Sequence, residues 1–457
     1  MFGWILNFVY VGLLTVLSPL LLYRSLVLGK YKSGWRAKVL GDVLSGSASQ
    51  SHTLPDSPRP LWFHAVSVGE VLQLQPVLEA MSLARPDSPM VISTTTATGY
   101  DVALKKYPQH RVIYFPLDFT WAVSRALDQV RPVAVILVEL ELWPNFIMAA
   151  ATRQVPVLLI NGRLSERSHR GYRWIRPLMG GLLRRLSLLA VQDEAIAGRM
   201  RDLIGLGEGV HAAATPLVPL HVTGSIKFDG VLTNRDNPRT LELRKSFGLL
   251  GQQPVFMAGS TQEPEERYAL EAWLTLRTKH PGLRLVLVPR HKERFEEVAR
   301  LVTETFKLPL IRRSSLLAGR PLPADAAHSV ILLDTLGELS AAWGLADVAF
   351  VGGSLTKRGG QNMLEPAGFG AAVLFGPNTQ NFREIVRALL AEQAATVVET
   401  PESLTAKVDE FLSHPDLAAA SGLRARALIE RHRGATRRTV DLMLQTLGHF
   451  TQQSRVA

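Results

Sequence analysis

The sequence predicts an α/β protein made of two doubly wound, Rossmann-like domains. Three observations lead there. Short, nearly continuous apolar runs alternate with stretches of helical period, the pattern of parallel sheets covered on both faces. That alternation halts at a polar stretch, 229–246, and restarts at Pro254. The 457 residues divide naturally into two domains of about 200 residues.

In the first half, strands are expected at 61–67, 90–95, 112–115, 133–140, 156–161 and 188–192, with helices over 69–84 and 143–154. In the second half, strands are expected at 255–260, 283–288, 330–334, 348–352, 373–375 and 396–399. Residues 417–447 read as an Arg/Ala-rich helical segment that packs back across the domain junction. A Ser/Pro/Gly-rich linker is expected at 41–60. The expected division is an anchor and basic segment over 1–40, a first domain over 41–230, a second over 247–420, and C-terminal helices over 421–457. Ligands of doubly wound sheets bind beyond the carboxyl ends of the strands. Two such domains facing each other would enclose a cleft, with the functional motifs where strands end.

Composition excludes several classes. The chain has no cysteine, so disulfides, thiolate-bound metal centres and thiol nucleophiles are ruled out. Hydrophobic residues make up 47% and charged residues 20%, which excludes a disordered chain. A net charge of +11 favours anionic partners: a phospholipid surface, nucleic acid or a phosphorylated substrate.

Residues 2–23 carry no charge. As a helix they would extend about 33 Å, enough to cross a bilayer's hydrocarbon core. Asn7, Gly12, Ser18 and Pro19 interrupt the run, and a buried or in-plane helix fits it as well. Arg24, Lys30, Lys32, Arg36 and Lys38 follow before the first acid, Asp42. The expectation is a single N-terminal membrane anchor with the remaining chain cytoplasmic. A cleaved signal peptide is not expected, since the basic N-terminal region is missing.

The motifs lie at strand ends. His64-Ala65-Val66-Ser67-Val68-Gly69-Glu70 closes a strand and opens a helix. Glu70 there suits a general base, and equally a first-turn carboxylate answering the helix dipole. Glu139-Leu140-Glu141-Leu142-Trp143-Pro144-Asn145 ends another strand with two acids, which β geometry would aim to one face. Lys227, in Gly224-Ser225-Ile226-Lys227-Phe228-Asp229, is placed to neutralise a phosphate or oxyanion, or is a plain surface lysine. Arg163, Arg167, Arg170, Arg173, Arg176, Arg184 and Arg185 form a basic run suited to an anionic bilayer, an acidic substrate or simply solvent.

In the second half, Gly259-Ser260-Thr261 fits a phosphate-binding turn or an ordinary helix cap. Pro289-Arg290 ends a strand, and Gly337-Glu338-Leu339 opens a helix. Gly352, Gly353, Gly359 and Gly360 would bring backbone amides close to a ligand ahead of Asn362-Met363-Leu364-Glu365. Glu365 is placed to accept ribose hydroxyls. No Gly-x-Gly-x-x-Gly, P-loop or metal-ligand spacing occurs, so dehydrogenase and P-loop chemistry are not indicated.

Taken in order, these segments resemble the 3-deoxy-D-manno-octulosonic acid (Kdo) transferases of lipid A biosynthesis. The resemblance rests on HAVSVGE, ELWPN, GRLSERS, TGSIKFD, GSTQEPEE, LVPRHKERF, DTLGELS, FVGGSL, GGQNMLEPA and FGPNTQNFREI. It implies a glycosyltransferase-B fold and transfer of Kdo from CMP-Kdo to a lipid A precursor at an anionic membrane surface. It implies Glu70 as proton acceptor, with Glu139 and Lys227 stabilising the transition state. It places the donor on Pro289, Arg290, Gly337, Glu338, Leu339, Asn362, Met363, Leu364 and Glu365. No cofactor, metal or nucleic acid partner is implied. Gln361 and Gln262 depart from the family, which often has histidine at both positions. The competing readings are a related enzyme using another nucleotide sugar, and a non-enzymatic anion-binding protein.

Overall fold

A computed structural model describes residues 2–26, 33–44, 58–205, 218–249, 251, 253–323 and 325–456. Contacts divide the chain into two units, Met1–Gly230 with Arg433–Ala457, and Val231–His432.

The first unit carries a seven-stranded sheet: β1 (Leu61–His64), β2 (Met90–Thr94), β3 (Arg111–Tyr114), β4 (Ala134–Val138), β5 (Val157–Gly162), β6 (Leu188–Val191) and β7 (Leu220–Val222). All pairings are parallel, in the order β3-β2-β1-β4-β5-β6-β7. The first six strands follow the Rossmann order. Side chains alternate between two cores. Trp62, Val91, Val135 and Leu137 pack on one face, and Leu61, Phe63, Ile92 and Ile136 on the other. Burial on both faces is why these runs read as continuously apolar.

The second unit repeats the design with β8 (Val255–Thr261), β9 (Arg284–Pro289), β10 (Leu310–Arg312), β11 (Val330–Leu332), β12 (Val348–Val351), β13 (Ala372–Phe375) and β14 (Ala395–Val397). The order is β10-β11-β9-β8-β12-β13-β14, again parallel. Without the edge strand β10 it is the same Rossmann order. The strand order reverses between β1 and β4 in one sheet and between β8 and β12 in the other, which marks the ligand-binding ends.

Several expectations change in detail. β7 and β10 were not expected. Each is a three-residue edge strand, and neither is fully buried, so neither leaves an apolar run. The helix expected at 69–84 is two helices, Val68–Gln73 and Gln75–Ala84, the second with a proline in its first turn. The segment 417–447 is likewise two helices, Pro415–His432 and Ala435–Val456, separated by Gly434 at φ +86°. Only the second belongs to the first unit, where it packs on helix Gln75–Ala84 and on β5 and β6. Most of the expected linker lies outside the described residues.

The N-terminal run forms a helix, Phe2–Leu26. Among the described residues, however, no helix is long and apolar enough to cross a membrane, so the spanning anchor is not shown. The helix is held by polar groups. Asn7 Nδ2 donates to Thr120 Oγ1 at 2.7 Å, and Tyr10 donates to Asp118 at 3.0 Å. Two cations of the basic segment are engaged with the protein. Arg36 pairs with Asp42 at 3.1 Å, and Lys38 lies 4.4 Å over the Tyr114 ring. Lys30 and Lys32 lie outside the described residues.

Close backbone packing gives a direct test. A β-carbon on Gly422, in helix Pro415–His432, would fall 2.0 Å from the Gly370 carbonyl oxygen. Gly422→Ala should destabilise the protein by about 1–3 kcal/mol, as overpacking does; thermal or denaturant unfolding would read this directly.

Candidate active site

In the first unit, β1 runs into helix Val68–Gln73 through Ser67, which caps it by accepting from the Glu70 amide. Glu70 turns back on this turn. Its carboxylate accepts the Val66 amide at 2.8 Å and the Ser67 hydroxyl at 2.7 Å. Burial pushes its carboxyl above the ordinary value, the Ser67 and Val66 bonds pull it back, and the charge of Glu139 adds to the rise. A half-buried carboxylate with a raised proton affinity suits general base work better than a fully solvated one.

At the next strand end, β4 stops at Val138 and Glu139 takes φ +61°. The β alternation expected to aim Glu139 and Glu141 to one face therefore ends before either. A non-glycine residue in the left-handed region is sparsely populated and gathers at functional sites. Glu139 pairs with Lys227 at 3.2 Å. Lys227 sits on the short turn Ile226–Phe228, which Asn161 at the end of β5 fixes by accepting the Ile226 amide at 3.3 Å. Gln192 holds Asn161 in turn, donating to its side-chain and main-chain oxygens at 3.1 Å. Three strand ends thus bring Glu70, Glu139 and Lys227 into one electrostatic neighbourhood.

Glu141 belongs to it as well. It accepts the Trp143 indole N–H at 3.0 Å. Burial raises its carboxyl to about 7, with the charges of Glu70 and Glu139 adding and the Trp143 bond opposing. Two acids were visible at this strand end in the sequence, but spacing alone did not show that the second titrates near neutrality. The Arg-rich segment adjoins this group: the Glu141 charge acts on Tyr172. Within that segment, Asp202 gathers His169 at 2.8 Å and Arg176 at 3.4 Å, while Trp174 stands 90% exposed.

In the second unit, three expected donor-binding segments converge. Pro289 ends β9, and the Arg290 amide donates to the Thr261 carbonyl at 2.9 Å. Glu365 accepts Asn362 Nδ2 at 3.0 Å and Ser340 Oγ at 3.1 Å, tying residues 362–365 to the turn at Gly337. Burial raises the Glu365 carboxyl, against the pull of Ser340, Asn362 and the Arg290 charge. Asn362 Oδ1 accepts the Leu364 amide, and Met363 and Leu364 are buried. Gly337 has φ +84°, and Leu339 starts a short helix.

The Glu338 carboxylate is engaged by the protein, with Arg313 donating at 2.8 and 3.2 Å and Thr335 donating its hydroxyl. Arg313 is only 4% exposed and also binds Glu242. Burial opposes ionisation of Glu338, but Arg313 and Thr335 hold its carboxyl below the ordinary value.

The glycine-rich loop after β12 also departs from an open phosphate cradle. The fully buried Glu265 accepts the amides of Gly353 at 2.6 Å, Ser354 and Leu355 at 3.0 Å, and Gln262 at 2.9 Å. The chain's own carboxylate occupies that nest. Arg313 lay in no motif, and Glu265 lay in the GSTQEPEE segment without being a candidate site residue. Among the described residues, no group of three or more His, Asp or Glu is placed to hold a metal ion.

With this geometry in place, relatives can be compared. Residues 37–230 match the family model described as 3-Deoxy-D-manno-octulosonic-acid transferase (kdotransferase). The 3-deoxy-D-manno-octulosonic acid transferase of Haemophilus influenzae is 33% identical over 442 residues, covering 96% of this chain and 98% of the relative. The chain belongs to the Kdo transferase family. The Bordetella pertussis Kdo transferase is 35% identical over 406 residues, covering 85% of this chain and 88% of its own. UDP-GlcNAc 2-epimerase from Neisseria meningitidis shares the glycosyltransferase-B fold at a TM-score of 0.54, with 15% identity, over 84% of this chain and all of that one. The chain is thus a Kdo transferase of glycosyltransferase-B class.

The Glu141 environment predicts a pH effect of definite sign. A carboxyl raised from 4.5 to about 7 on folding binds its proton more tightly in the native state. Its effect on stability is therefore a loss as pH rises from about 4.5 through about 7. Glu141→Gln should flatten that part of the stability–pH curve, measured by unfolding at a series of pH values. An unchanged slope would remove the raised carboxyl.

Proposed function

We propose that this transferase moves Kdo from CMP-Kdo to a lipid A precursor of the lipid IVA type, with inversion at the sugar centre. The observation that carries this reading is the half-buried Glu70 carboxylate at the end of β1, with its raised proton affinity. The acceptor hydroxyl oxygen attacks the anomeric carbon of Kdo while the bond from that carbon to the phosphate oxygen breaks. CMP leaves with the electron pair, and Glu70 takes the hydroxyl proton. A positioned base contributes about 10²–10⁴ in rate.

Positive charge builds on the sugar as it becomes oxocarbenium-like. Glu139 suits that charge, and its ion pair with Lys227 orients it. Lys227 offers a counter-charge to developing oxyanions. The second unit holds the donor through Pro289, Arg290, the main chain of residues 337–339, and Asn362 to Glu365. Arg290 is exposed and supplies a cation for the phosphate.

The work site proposed is the cytoplasmic face of the inner membrane, where the helix Phe2–Leu26 lies in the plane of the surface. Its support is an apolar outer face, with Trp4 61%, Phe8 76% and Val16 76% exposed. An exposed apolar helix face of this kind is removed from water by settling at the headgroup boundary. The exposed Trp174 beside Arg170 and Arg173 would add contacts to an anionic lipid surface.

Glu70→Ala should remain folded, still bind CMP, and lose turnover by about a hundredfold or more. Product mass after incubation with CMP-Kdo and the tetra-acylated precursor measures it. Near-normal turnover would exclude Glu70 as the base, and absence of Kdo transfer by the unaltered protein would defeat the donor and acceptor assignment.

A further inference from the structure

We infer that Gln262 and Gln361 form a neutral amide pair that binds an oxyanion of the nucleotide-sugar donor beside Gly353. The inference deepens the donor-site reading and rests on it.

The placement comes from two different loops. Gln262 follows β8, and Gln361 precedes the Asn362–Glu365 segment. β8 and β12 are the pair at which the second sheet reverses order, the expected ligand end. Both side-chain amides close on the same point. A β-carbon built on Gly353 would lie 3.2 Å from Gln262 Nε2 and 3.3 Å from Gln361 Nε2. Gly353 has φ +66°, so glycine serves both the backbone conformation and the approach of the two amides.

Their hydrogen-bonding capacity is unspent. Gln262 is only 6% exposed, yet among the described residues neither side-chain amide has a hydrogen-bond partner. Neither amide is sealed from solvent without a partner, so both stay reachable by a ligand. The main chain cannot serve a ligand here in their place. Glu265 already takes the amides of Gly353, Ser354 and Leu355. Besides the Arg290 cation, this strand end offers a ligand the two Nε2 groups. Each offers N–H bonds and no charge, and oxygen acceptors of a phosphate or a sugar carboxylate are their complement.

A neutral pair also fits the electrostatics. Glu265 sits beneath the loop as a buried anion, and Glu365 lies one turn beyond Asn362. Arg290 is the cation whose charge acts on Glu365. Amides orient an anion at this point without adding a further charge to that balance. The same chemistry has two sources in the donor, the phosphate of CMP and the carboxylate of the sugar.

The test uses the full-length protein with Gln262→Glu and Gln361→Glu, near-isosteric changes that place a negative charge where the amide stood. Gln361→Ala serves as a second variant should either carboxylate impair folding, and thermal unfolding checks each. CMP affinity is measured by calorimetry and the CMP-Kdo KM by product mass. Both Glu variants should raise the CMP-Kdo KM by about tenfold or more, the scale of a lost hydrogen bond to a charged group, with the acceptor KM little changed. If CMP affinity falls by the same factor, the pair holds the phosphate. If CMP binds normally while the CMP-Kdo KM rises, it holds the sugar carboxylate. Folded variants with unaltered CMP affinity and CMP-Kdo KM would overturn the pair. An unaltered protein that binds neither compound would instead overturn the donor-site reading, and the pair with it.

Discussion

A parallel sheet leaves amides and hydroxyls unsatisfied where its strands end, and in each unit a glutamate on the helix after the first strand answers them. In the first unit this is Glu70, taking the Val66 amide and the Ser67 hydroxyl. In the second it is Glu265, taking four main-chain amides. The positions correspond in the two Rossmann orders, but their capacity for chemistry does not. Glu265 is fully buried with both oxygens saturated by the backbone, so it shapes a loop and has nothing left for a substrate. Glu70 is half-buried with fewer partners, so it holds its turn and can still take a proton. The number of amides spent on each carboxylate decides which is structural.

The charge arrangement around Glu70 follows from that constraint. The charges of Glu70 and Glu139 raise the proton affinity of Glu141, the charge of Glu139 raises that of Glu70, and burial raises both further. Lys227 is the cation paired within that group, and it contacts Glu139. The consequence is a division of labour among chemically identical side chains. Glu139 is paired with Lys227 at 3.2 Å, while the Glu141 carboxyl is pushed to about 7. The Glu70 carboxyl is raised by burial, with its bonds to Ser67 and Val66 offsetting part of that rise. Separate environments driving like groups apart is how a site keeps a base and an electrostatic stabiliser side by side.

Much of this was legible in the sequence, and the limits are physical. Buried parallel strands such as β1 and β4 announce themselves because both faces must be apolar, so their ends, and the motifs there, were located closely. Edge strands β7 and β10 carry no such demand and gave no signal. Glu70, Glu139 and Lys227 were visible as charged residues at strand ends. The salt link between the latter two was not, because it depends on Asn161 and Gln192 fixing the turn at Ile226. Glu338 was expected as a donor contact only through the family resemblance of its triplet. Only the fold brings Arg313 from another strand end to enclose its carboxylate. The glycine-rich loop shows the same limit, since a sequence gives the amides of a nest but not what fills it.

The N-terminal helix shows how a polar residue in an apolar run can be misread. In a spanning helix, Asn7 and Tyr10 would each be a defect to be tolerated. Here they are the contacts. Asn7 exchanges hydrogen bonds with Thr120, through its side-chain amide and the Thr120 main chain, and accepts from Asn145 at 3.3 Å. Tyr10 donates to Asp118, which in turn accepts the amides of Asn145 and Phe146. Asp118 thus caps the helix Pro144–Thr152 and fastens the N-terminal helix with the same carboxylate. Asn145 is the last residue of the segment that begins with Glu141, so the helix is braced against the strand end that carries the acids. A purely apolar inner face would bury as much area and leave the helix free to slide or rotate, because apolar contact is not directional. Directional bonds at Asn7 and Tyr10 fix one rotation of the helix, and with it which side chains, Trp4, Phe8 and Val16 among them, face outward.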